Sequence, residues 1–89
     1  MNSIGQTIWT YELNNDSITI DRNFGLTIIS FTLVSGVGYY QGASLANGIA
    51  SSPVNLVVGQ AVTICSDSNN PLDQFLISTT GVVAIIGKQ

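Results

Sequence analysis

The sixteen residues 51–66, SSPVNLVVGQAVTICS, decide how this chain is read. Val54, Leu56 and Val58 alternate with Asn55 and Val57. Beyond Gly59-Gln60, Val62 and Ile64 alternate with Ala61, Thr63 and Cys65. Alternation with period two is the signature of half-buried strands. A two-residue loop with Gly first is type II′ turn chemistry, because Gly takes the positive φ at the first central position. The stretch therefore predicts a β-hairpin. Its outward side would be Asn55, Val57, Ala61, Thr63 and Cys65, with no charge among them.

The same period runs outward in both directions. In TIWTYEL, Trp9, Tyr11 and Leu13 share one face, and Ile8, Thr10 and Glu12 the other. After the turn NND at 14–16, SITID points Ile18 and Ile20 inward. RNFG at 22–25 is a second turn. LTIISFTLV changes parity: Leu26 and Ile28 lie on one side, and Ile29, Phe31 and Leu33 on the other. A β-bulge near Ile28–Ile29 would keep all five on the core side; a strand covered on both faces is the alternative. YYQG is a short strand. ASLANGIASSP is irregular and is read as a loop with a helical turn at 43–47. SDSNNP is a turn-rich loop, DQFLIST pairs Phe75 with Ile77, and Thr80-Gly81 is a tight turn. VVAIIG does not alternate in hydropathy and is expected to be buried on both sides.

About eight short strands at this spacing predict one all-β domain spanning 1–89, a small sandwich with jelly-roll-like connections. No repeat or linker interrupts it.

Composition narrows the function. Of 89 residues, 8% are charged, against roughly 25% in average domains, and the net charge is −3. With only Arg22 and Lys88 as cations, a nucleic-acid partner held through phosphates is not expected. No apolar run suits a membrane helix, and MNSIGQT has neither the basic region nor the apolar core of a signal peptide. Histidine is absent and Cys65 is the single cysteine, so no intrachain disulfide or Cys/His metal staple is available.

Enzyme chemistry finds no constellation. Cys65 sits mid-strand with no base in reach and is read as a plain strand residue. Asp67, Asn69, Asn70 and Asp73 crowd one loop, where oxygen ligands can hold calcium. They lack the EF-hand glycine and distal glutamate, and the same residues favour turns, so no metal or cofactor is assigned. GVGYYQG has no following Lys or helix and is read as a strand corner rather than a phosphate loop. Trp9, Tyr39 and Tyr40 are candidates to stack on sugars, but are read first as core or interface.

The missing charges then need a cause. An isolated β-domain protects its edges, most simply with lysine. This chain has a single Lys, so its edges and outward faces are expected to be covered by protein. The candidate interface positions are Val57, Ala61, Val82, Ala84 and Ile86.

PVNLVVGQAVTI followed by NPLDQFLISTTGVVAIIG resembles the small all-β accessory modules of tailed-bacteriophage virions, over about the last forty residues. The shared pattern is a strand, a Gly-Gln turn, a second strand, an Asn-Pro-Leu-Asp loop and a final hairpin. The resemblance implies a structural virion component: a capsid decoration, fibre or connector-type module. It would be held by contacts with itself, as a trimer in some such modules, and with other virion proteins, and it carries no catalytic motif. The alternative is a non-enzymatic glycan-binding module using Trp9, Tyr39 and Tyr40.

Overall fold

The computed structural model describes residues 8–42, 52–66, 69 and 71–88. They form eight strands: β1 (Ile8–Asn14), β2 (Ser17–Ile20), β3 (Ile28–Ser35), β4 (Gly38–Gln41), β5 (Val54–Asn55), β6 (Ala61–Cys65), β7 (Phe75–Thr79) and β8 (Val82–Lys88). A 3₁₀ turn at Arg22–Phe24 is capped by the Asp21 carboxylate, which accepts from the Asn23 N–H. The expected loop and helical turn at 43–47 lie outside the described residues.

The strands make two four-stranded antiparallel sheets, in the orders β1-β8-β3-β6 and β2-β7-β4-β5. The pairings β1–β8, β2–β7, β3–β6 and β4–β5 are those of one long ribbon folded back on itself. Rolling that ribbon up adds β3–β8 and β4–β7. This is a jelly roll.

Alternation decides which side chains fill the space between the sheets. Leu13, Ile29, Phe31, Leu33, Val83 and Ile85 come from the first sheet, and Ile20, Phe75 and Ile77 from the second; all are essentially inaccessible. Rings anchor the centre. Phe31 lies 5.3 Å edge-on from Tyr40 and 5.6 Å from Phe75, between centroids.

The pairing corrects four expectations. First, residues 54–65 are not a hairpin. β5 belongs to the second sheet and β6 to the first, so the chain crosses between layers. The Gln60 N–H donates to the Val57 carbonyl at 3.1 Å, which places Gly59 third in the turn. Its φ of 88° there is the type II arrangement, not II′. Second, β3 has no bulge at Ile28–Ile29. Its register runs unbroken from Ile28 to Thr32 with β6 and from Ile28 to Leu33 with β8, shifting only between Leu33 and Ser35. Leu26 reaches the core from the loop before β3, so the strand keeps its parity and Ile28 faces out. Third, β8 alternates: Val83, Ile85 and Gly87 are buried, while Ala84 and Ile86 are exposed. Fourth, Thr80-Gly81 joins β7 to β8 across the layers and closes no hairpin.

A Cβ at Gly59 would meet nothing within 4 Å. Only the backbone conformation resists substitution there. Gly59→Val should therefore cost about 1 kcal/mol or slightly more, and Gly59→Asn less. Thermal melts of the two variants check this.

Candidate functional site

The outward face of the first sheet is set by the same alternation that fills the core. Register places its side chains in cross-strand rows. One row is Ile8, Lys88, Ile28, Cys65. The next is Thr10, Ile86, Ser30, Thr63. The third is Glu12, Ala84, Thr32, Ala61. Beyond it, Val82 pairs with Asn14 on one side and Ser35 on the other. Among these positions only Glu12 and Lys88 carry charge. Ile86 is 54% exposed near the middle and Ile8 is 66% exposed at a corner. The Thr63 hydroxyl donates to the Ser30 hydroxyl at 3.3 Å, so part of the polar complement is satisfied within the face.

Four of the five expected interface residues belong to this surface: Ala61, Val82, Ala84 and Ile86. Ala61, Ala84 and Ile86 are exposed, and Val82 is half-buried. Val57 does not join them. It lies in the β5–β6 turn, where the Gly59 N–H donates to the Leu33 carbonyl at 2.9 Å. Val57 and Val58, with Val34 near the end of β3 and Val37 of the β3–β4 connection, are exposed at the end of the sandwich where the β3–β4 and β5–β6 connections meet. Ile8 and Ile28 were not among the expected interface positions. The parity of Ile8 was readable from TIWTYEL. That of Ile28 was masked by Leu26.

The three aromatics proposed for sugar stacking are not brought to one surface. Tyr40 turns inward and packs on Phe31 and Phe75. Tyr39 points the other way, onto the outer face of the second sheet in a row with Ser17, Ser78 and Asn55. Trp9 is on β1 of the first sheet, edge-on to Phe24 and stacked on Tyr11 at 5.6 Å, with 6° between the planes. Tyr11 is 44% exposed, so the Trp9–Tyr11 pair is an aromatic edge at the margin of the roll.

In the β6–β7 loop, the Asp73 carboxylate accepts from the Arg22 N–H at 3.2 Å, a bond that ties two connections together. Asp67 and Asn70 lie outside the described residues, and Asn69 is exposed. Among the described residues, no three His, Cys, Asp or Glu side chains gather as a metal site would require. No helix among them is long and apolar enough to cross a membrane. Cys65 is a free, exposed thiol at the outer end of β6. Cys65→Ser should shift stability by no more than about 0.5 kcal/mol, as for most surface substitutions. Melting curves of the variant check it.

The chain matches no protein-family model, no curated protein and no solved structure.

Proposed function

We propose that this jelly roll is a structural component of a virion, of the capsid-decoration, fibre or connector type, that works through protein–protein contacts with its own copies and with other virion proteins. The observation carrying the reading is the outer face of the first sheet. A four-stranded surface with three exposed isoleucines and only two charged side chains is poorly suited to water, and well suited to being packed against. Ser and Thr there tolerate burial through mutual hydrogen bonds at far lower desolvation cost than charges. The jelly roll is also an architecture of viral coats, though it serves lectins as well, so the fold alone does not choose between them.

The glycan-binding alternative keeps one specific observation in its favour, the stack of exposed Tyr11 on half-buried Trp9. Light scattering on the purified chain, paired with a glycan array, separates the two. A multimer that retains no sugar supports the virion reading. A monomer that binds sugar, with binding lost in Tyr11→Ala, overturns it in favour of the lectin. A monomer that neither sugar nor any virion protein retains overturns it outright.

A further inference from the structure

We infer that the outer face of the first sheet is the contact between two copies of this chain, packed face to face about a two-fold axis passing over Ile86. The inference rests on the assembly reading above and names its surface and occupant.

The charges identify the occupant. Glu12 lies on β1 and Lys88 on the neighbouring β8, but Lys88 pairs with Ile8, four residues along from Glu12. At about 3.3 Å per residue and about 4.8 Å between strands, the two are about 14 Å apart, too far to pair within one chain. An in-plane dyad through their midpoint exchanges them. Glu12 of each copy then falls opposite Lys88 of the other, giving two reciprocal ion pairs. The midpoint lies between Thr10 and Ile86, which are paired across β1 and β8, so Ile86 of one copy meets Ile86 of the next. A surface whose single acid and single base satisfy each other by rotation is self-complementary, as a two-fold contact requires.

The rest of the charge agrees. The chain carries −3 overall, yet this face is neutral. Asp16, Asp21 and Asp73 lie in connections between strands, away from its rows. Face-to-face packing thus joins the neutral surfaces and leaves the like charges apart.

The size agrees too. Four strands of this length give a footprint of about 20 by 20 Å. With side-chain relief, two copies bury on the order of 1,000 Å², the lower bound for a specific interface. The dimer should therefore be reversible, with micromolar affinity, and should close at two copies.

Light scattering over a concentration series tests it, on the wild type, Ile86→Lys, Glu12→Lys, Lys88→Glu and the double swap. The wild type should form a dimer. Ile86→Lys should weaken it at least about a hundredfold, by placing two lysines at the axis. Each single reversal should weaken it about tenfold or more, and the double swap should recover it. Recovery is a readout that mere damage to the fold cannot imitate, so it decides the matter should Ile86→Lys misfold. A dimer indifferent to all four changes, or a trimer, overturns the face-to-face contact while leaving the assembly reading intact. A wild-type monomer at every concentration overturns the two-fold contact, and it overturns the assembly reading as well if no virion protein retains it.

Discussion

Gly81→Ala should abolish the folded state, although the change adds one methyl group in a surface turn. A Cβ at Gly81 would fall on the Ser35 carbonyl group, 2.6 Å from its carbon, and 2.7 Å from the Gly36 Cα. All of these are backbone atoms, so no rotamer change relieves the clash. The contact is mutual: a Cβ at Gly36 would lie 2.7 Å from the Gly81 Cα, and Gly36 has a φ of 81°. The two turns pass this closely because each links one sheet to the other at the same end of the roll. Hydrogen bonds hold them there. The Thr80 N–H and the Thr79 hydroxyl both donate to the Val37 carbonyl, and the Asn15 N–H donates to the Gly81 carbonyl. Separating the turns would break the bonds to Val37 and leave the buried Thr79 hydroxyl without its acceptor. A cost above about 4 kcal/mol is expected, much of the stability of an 89-residue domain. Circular dichroism and a one-dimensional proton spectrum of the variant check it. Gly59→Ala is the control, since strain without a clash should leave the fold intact.

Phe31→Ala should be the most damaging core truncation. The ring is almost fully buried between the sheets and touches both Tyr40 and Phe75, which lie 5.9 Å from each other. Removing it leaves a cavity inside an aromatic trio and forfeits two ring–ring contacts. The expected cost is about 3–5 kcal/mol, which lowers the melting temperature by more than about 15 °C in a domain of this size. Tyr40→Phe should lose far less. Thermal denaturation of the two variants gives the comparison, and equal losses would mean that the Tyr40 hydroxyl matters as much as the Phe31 ring.

Side-chain direction was legible in the sequence wherever a strand kept period two. Leu13, Ile20, Phe31, Leu33, Phe75 and Ile77 point into the core as their alternation requires. Strand partners were not legible. VVGQAV has turn chemistry whether the chain returns beside itself or crosses to the opposite layer, and here it crosses. Pairing in a jelly roll joins strands far apart in sequence, as β1 joins β8, so no local pattern encodes it. The same limit governs the candidate surface. Ala84 and Ile86 were readable as outward, and so was Val57. Alternation along β8 puts the first two on one face, but only the structure shows that Val57 sits apart from it, in the β5–β6 connection at the end of the roll. The Leu26 error has a different origin. Period-two reasoning assumes that a core residue is on a strand, and Leu26 fills the core from a loop, held by the backbone bond in which the Leu72 N–H donates to its carbonyl.

That this net-neutral face is covered by a second copy of the chain is checked by sedimentation velocity of the unmodified chain from micromolar to near-millimolar concentration. The weight-average mass should rise from the 9.4 kDa of one chain toward twice that value. A mass that stays at 9.4 kDa throughout the series would contradict it.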